Sequence, residues 1–165
     1  MDLLNLNRAI YIASKAHLND LDKGGSPYIL HPIRVMQRLR TQDQDLMCIA
    51  ILHDVIEDHG HHGYIFDEGG KYTYKEYLEL IASRRVLEAL GCLTRRKGEE
   101  YEDFIDRCCL NYDAVLVKIE DLKDNSDITR MKGLRDKDFE RLKKYQAAYA
   151  KLWLAKKQFE EAIRK

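Results

Sequence analysis

The residues best suited to chemistry lie in Ala50-Ile51-Leu52-His53-Asp54-Val55-Ile56-Glu57-Asp58. From 46 to 56 nearly every residue is apolar, the pattern of a helix buried on most sides. His53, Asp54, Glu57 and Asp58 interrupt that stretch or end it. Positions four apart share a helix face, so on one continuous helix Glu57 falls a turn beyond His53, and Asp58 a turn beyond Asp54. Burying unpaired charge is costly or shifts the pKa, so this polar quartet needs a partner. A divalent cation is a suitable one: imidazole and carboxylate fit a transition or borderline metal, and spare carboxylates can handle protons. The plainer alternative is a helix end with solvated acids and His53 as a cap. It does not account for the shared face.

Further ligands must come from other segments. His31 is one candidate. The run 117–125, Val117-Lys118-Ile119-Glu120-Asp121-Leu122-Lys123-Asp124-Asn125, is the other, a largely apolar helix ending in acids and amides. Spacing does not choose between Glu120, Asp121 and Asp124. His59, His61 and His62 read as part of a polar lid rather than a second metal site.

These residues need elements to hold them. Leu3, Leu6, Ile10 and Ala13, with Tyr11 nearby, predict an amphipathic helix over 3–17. Residues 19–25 break it, and Ser26-Pro27 reads as a helix cap followed by a first-turn proline. A second helix then runs to about Arg40 with His31-Pro32 in its first turn, and the central helix spans about 45–58. Aromatic flanks around Gly69-Gly70 predict a short β-hairpin within 59–74. Helices are expected over 75–83, 85–90, 101–110, 113–122 and 136–163. Phe139, Leu142, Tyr145, Tyr149, Leu152 and Phe159 of the last should face inward. The fold class is all-α, a single helical bundle over 1–165 with a hairpin-like insertion after the central helix.

Bulk composition narrows the class. Lysine plus arginine equals aspartate plus glutamate, 28 each, so no global field attracts a nucleic-acid backbone. No apolar run is long enough to span a membrane, and Met1-Asp2-Leu3-Leu4-Asn5 is unlike a signal peptide. Cys48, Cys92, Cys108 and Cys109 show no CxxC spacing and read as thiols of a reducing compartment. The expectation is a cytoplasmic globule without nucleic-acid or membrane partners. Nothing in the spacing specifies an oligomeric state.

Four ordered blocks carry a family resemblance: Ala16-His17 with Lys23-Gly24-Gly25-Ser26-Pro27-Tyr28-Ile29-Leu30-His31-Pro32; Leu52-His53-Asp54-Val55-Ile56-Glu57-Asp58; Leu93-Thr94-Arg95; and the run 117–125. Together they resemble the HD-domain metal-dependent phosphohydrolases, in particular the alarmone hydrolases: the hydrolase domain of RelA/SpoT enzymes and the small Mesh1-like proteins. The resemblance implies one divalent ion, Mn²⁺ in this family, held by His31, His53, Asp54 and Asp121. Glu57 and Asp58 would position and deprotonate water. Asn125, Lys23, Arg95, Arg96, Lys97, Arg141 and Tyr145 would hold a nucleotide and its phosphates. The implied reaction is removal of the 3′-pyrophosphate from guanosine 3′,5′-bispyrophosphate (ppGpp), the alarmone of the stringent response, and the length leaves no room for a synthetase domain. Two departures stand out. Asp22 occupies a place where the family carries arginine, and the 59–74 insertion follows the acids directly. Asp22 makes a phosphatase acting on another nucleotide such as NADPH an alternative. A catalytically silent nucleotide-binding module is the alternative of a different class.

Overall fold

The computed structural model describes residues 3–67, 70–130 and 133–164. Its centre is α3 (Gln44–Leu52), which buries Leu46, Cys48, Ile49, Ala50, Ile51 and Leu52. With no solvent face of its own, such a helix must be wrapped by others. Around it pack α1 (Leu6–Ala16), α2 (Leu30–Leu39), α6 (Arg84–Leu93) and α8 (Tyr112–Asn125). The chain also contains α4 (Val55–His59), α5 (Tyr74–Ile81), α7 (Tyr101–Cys108) and α9 (Asp136–Ile163). α9 lies along α8 and α7. The architecture is the expected all-α bundle.

Local chemistry sets the boundaries. Asn5 caps α1 by accepting from the Arg8 amide, so Leu3 stays outside the helix and is exposed, as is Tyr11. Ala9, Ile12 and Ala13 form the buried stripe instead. The second helix begins at Leu30, later than the Ser26-Pro27 signal suggests. Pro27 bridges Leu21, and the Ser26 amide donates to Asp22 Oδ1 at 2.9 Å, so both residues serve the preceding loop. His31 and Pro32 still fall in the first turn. The central helix is not continuous: it closes at Leu52 and restarts as α4. His53 Nδ1 bonds the Ala50 carbonyl at 2.8 Å, a side chain doing the work of a backbone donor.

The insertion does form a hairpin. β1 (Tyr64–Asp67) and β2 (Gly70–Thr73) are antiparallel, with Tyr64 opposite Thr73 and Asp67 opposite Gly70. Glu68 and Gly69 of the predicted turn, and Met1 and Asp2 of the N-terminus, lie outside the described residues. Thr73 and Glu76 form a reciprocal capping box that starts α5. On α9, Leu152 is buried and Leu142, Tyr145, Tyr149 and Phe159 are half-buried. Phe139 is 50% exposed, against expectation. The inward place goes to Asp138, paired with Arg141 at 2.9 Å. The four cysteines are free thiols. Among the described residues no helix is long and apolar enough to cross a membrane.

Candidate metal centre and its pocket

Three segments far apart in sequence meet in one place. His31 comes from the first turn of α2, His53 and Asp54 from the α3–α4 junction, and Asp121 from within α8. His31, His53 and Asp121 offer ligand atoms all within 4.8 Å of one another. Asp54 Oδ2 lies 3.6 Å from His31 Nε2 and 3.0 Å from His53 Nε2. Asp121 Oδ1 lies 3.1 and 3.7 Å from the same two nitrogens. α8 thus resolves its own ambiguity. Asp121 points into the cluster, Glu120 turns out to Lys123 at 2.7 Å, and Asp124 stands behind His31.

The outer nitrogens are already committed. His31 Nδ1 bonds Asp124 Oδ2 at 2.8 Å, and His53 Nδ1 bonds the Ala50 carbonyl. Such contacts leave each Nε2 free to act as an electron-pair donor. Both Nε2 atoms are buried, and neither forms a hydrogen bond of acceptable geometry despite the nearby carboxylates. Both lie close to the same two carboxylates, Asp54 and Asp121, and a His/His/Asp/Asp donor set of this kind fits a divalent cation.

The electrostatics agree. Burial alone would push the His31 and His53 pKa values down. Asp121 and Asp124 outweigh it for His31, and Asp54 and Asp121 for His53, so both are raised. Burial raises Asp54 and Asp121, but His53 (for Asp54) and Lys118 with the two histidines (for Asp121) hold them well below the carboxylate range. Without a cation, protons on the imidazoles balance the buried carboxylates. A divalent ion would take over that role.

This centre opens into a pocket of about 330 Å³ whose lining includes Lys23, Tyr28, Glu57, Asp58, Asn125, Arg130, Arg141 and Tyr145. Of the expected substrate contacts, Lys23, Asn125, Arg141 and Tyr145 are therefore brought together. Lys23 makes no ion pair among the described residues. Burial, then Arg141, lowers its pKa. Arg141 pairs with Asp138, leaving its buried Nε without a partner. Asn125 spends its amide on Asp121 Oδ1 at 2.5 Å. Arg95, Arg96 and Lys97 are not brought in. They line a neighbouring cleft with His61, His62 and the outer side of Glu57, and Arg95 donates to the Glu99 carbonyl. The Arg95 amide nevertheless fixes Glu57 Oε2 at 2.7 Å. No described hairpin residue lines the pocket. Asp67 instead ties the hairpin to Arg8 of α1 and Tyr77 of α5, so the lid expectation is not met.

The first loop explains Asp22. Its Oδ1 accepts from the Gly24 and Ser26 amides, and its Oδ2 pairs with Arg130 at 3.0 Å. A Cβ on Gly24 would stand 2.6 Å from the Arg130 carbonyl, and Gly25 takes φ +87°, so the Gly-Gly pair allows this approach. Arg130 also donates to the Asp124 carbonyl and to Asp124 Oδ2. Sequence reasoning missed Arg130, Tyr28 and Lys118. Tyr28 donates to Asp54 Oδ2 at 2.5 Å, and Lys118 Nζ sits 2.8 Å from Asp121 Oδ2. Lys118 had a signal, its place three residues before Asp121 on an apolar helix. Arg130, 108 residues from Asp22, had none.

Known proteins resemble this chain in sequence and in fold. No protein-family model matches the chain. A probable GTP pyrophosphokinase of Mycobacterium leprae is 36% identical over 118 residues, covering 70% of this chain and 15% of that protein. A guanosine-3′,5′-bis(diphosphate) 3′-pyrophosphohydrolase of Aquifex aeolicus is 27% identical, covering 73% of this chain and 17% of its own length. The chain thus spans less than a fifth of these curated relatives. A solved metazoan ortholog of SpoT, described as hydrolysing ppGpp, superposes with a TM-score of 0.66 at 20% identity, covering 93% of this chain and 92% of that one. The chain has the helical fold of that metazoan SpoT ortholog. In sequence it is similar to a segment of the (p)ppGpp-related relatives.

Proposed function

We propose that this chain is a metal-dependent hydrolase of guanosine 3′,5′-bispyrophosphate that removes the 3′-pyrophosphate. The observation carrying the reading is that the donor cluster opens through His31, Asp54 and Asp121 into the pocket that also holds Glu57, Asp58, Lys23 and Arg141. His31, His53, Asp54 and Asp121 would hold the ion, Mn²⁺ by resemblance, which when bound supplies Lewis-acid polarisation of a phosphoryl oxygen and acidification of water. Glu57, fixed by the Arg95 amide, and Asp58 beside it orient the attacking water and take its proton. Lys23 and Arg141 neutralise phosphate oxygens as charge develops. Water adds to phosphorus, the bond to the 3′-oxygen breaks, and GDP and pyrophosphate leave. The Aquifex aeolicus relative named as a 3′-pyrophosphohydrolase supports the substrate class.

Asp22 does not argue against this substrate as the sequence suggested. Its charge is offset by Arg130 and Arg34, so it does not face a nucleotide as a free anion. Purified chain with Mn²⁺ should release pyrophosphate from guanosine 3′,5′-bispyrophosphate and no monophosphate from NADPH. Monophosphate from NADPH alone would move the reading to a nucleotide phosphatase, and nucleotide binding without turnover to a silent module.

A further inference from the structure

A second donor cluster lies beside the first and shares no ligand with it. His17 follows the end of α1, Asp20 sits in the next turn, and His59 ends α4. Their ligand atoms all fall within 4.8 Å of one another. Asp20 Oδ2 lies 2.9 Å from His17 Nδ1 and 2.7 Å from His59 Nε2. Two imidazoles, one beyond the end of α1 and one at the end of α4, therefore converge on a single carboxylate oxygen.

The environment is graded in a way a hydrogen-bond network does not require. The His17 side chain is 1% exposed, His59 25% and Asp20 37%. One ligand is thus rigidly buried, and the opposite side opens to solvent where water can complete a coordination shell. No lysine or arginine ion-pairs with Asp20 among the described residues. His17 Nε2 is buried and has no partner. Of its two ring nitrogens, only the one aimed into the cluster is engaged, and a cation on Nδ1 would move the ring proton to Nε2.

We infer that His17, Asp20 and His59 form a second divalent-metal site, of the borderline type that zinc occupies, separate from the His31/His53/Asp54/Asp121 centre. Two imidazoles and one carboxylate with an open position are a ligand set that Zn²⁺ takes. The ion would clamp the end of α1 to the end of α4. Because α4 carries Glu57 and Asp58 just before His59, it would fix the helix that presents both acids to the pocket. The His17 ring also lies against Tyr28, centroids 4.6 Å apart, and Tyr28 bonds Asp54. The clamp therefore borders the first centre without entering it. His59 is thus a ligand, not part of a lid.

The test is metal stoichiometry on the full chain, stripped with chelator, dialysed against Zn²⁺ and assayed by atomic emission. The wild type should hold two equivalents, His53→Ala one, His59→Ala one and the double variant none. Asp20→Asn, which keeps an acceptor oxygen but loses the charge, should also hold one. Its melting temperature in chelator checks that the fold survives. Zn²⁺ should still raise the melting temperature of His53→Ala, and that rise should vanish when His59→Ala is added. A wild type holding one equivalent, unchanged by His59→Ala and abolished by His53→Ala, overturns the second site. One equivalent lost with His59→Ala but kept with His53→Ala would instead overturn the proposed catalytic centre and leave this site standing.

Discussion

Glu57 and Asp58 are neighbours in sequence but stand in different surroundings. Glu57 is oriented by the Arg95 amide, a contact that an isosteric amide can still accept. Glu57→Gln should therefore keep its metal and its fold yet lose turnover by about 10²-fold or more, the scale of general-base loss. His53→Ala and Asp54→Ala should lose metal and activity together. Steady-state rates beside metal content separate the two outcomes, and full turnover in Glu57→Gln would remove Glu57 from the role of base. Asp58 is exposed at the pocket rim, but burial of its carboxyl, then Asp54 and Glu57, pushes its pKa up to about 6. Between the unfolded value near 3.8 and about 6, the folded metal-free chain binds more protons than the unfolded one. Asp58 thus subtracts stability as pH rises through that window. Metal-free Asp58→Asn should be more stable than wild type at pH 7.5 by ~1 kcal/mol after solvent screening. The difference should close near pH 3.5, where the acid is protonated in both states. Melting curves at the two pH values check it, and equal stability at pH 7.5 would mean the carboxyl is not held as described.

At the scale of elements, legibility followed the length and uniqueness of the signal. α9 runs over Asp136–Ile163, as the long apolar period predicts. α2 starts later than its sequence signal because Ser26 and Pro27 carry a real capping signal that the Asp22 loop uses instead. The break at His53 was hidden because the apolar run continues through it, and a side chain closes the helix without glycine or proline. The His53-Asp54 pair of the candidate centre is legible because rare residue types cluster there, whereas the choice of Asp121 over Glu120 and Asp124 comes only with the resemblance. The expected substrate contacts are legible only in part, since lysines and arginines are common and only tertiary structure tells a pocket cation from a surface one. Arg95 and Lys97 show this. Their segment acts through its backbone, and Arg107 supports it. Arg107 of α7 donates to the Gly91, Cys92 and Thr94 carbonyls at the end of α6 and clasps Glu99 through Nε at 2.9 Å and Nη2 at 2.7 Å. It thus closes a helix terminus and the loop that aims Glu57. Arg107→Ala leaves those carbonyls unpaired, so stability should fall by about 2–3 kcal/mol in urea melts. Turnover should fall beyond the folded fraction, because the Arg95 amide loosens. A stability loss with unchanged turnover per folded molecule would separate the loop from the site.

The whole molecule is arranged around a cost that a bound ion relieves. His31 and Asp124 are 93 residues apart in sequence, yet they meet in a buried contact. Beside them the α3–α4 junction and α8 bring further charge into the interior. Hydrophobic burial by α3 and its neighbours must assemble this cluster before any ligand set exists, so the unfolded chain offers the cation no comparable site. An ion that binds only the folded form stabilises it by mass action, about 2.7 kcal/mol when free ion is near 100 times its Kd. For a chain of this size that is a rise of roughly 5–10 °C in melting temperature. The cleanest measurement uses His59→Ala, in which only the His31/His53/Asp54/Asp121 centre can respond. Mn²⁺ should raise its melting temperature by that amount, excess chelator should reverse the rise, and adding Asp54→Ala should abolish it. A melting temperature indifferent to Mn²⁺ in the His59→Ala chain would mean that protons alone balance the buried carboxylates, and that the four ligands meet for packing rather than for an ion.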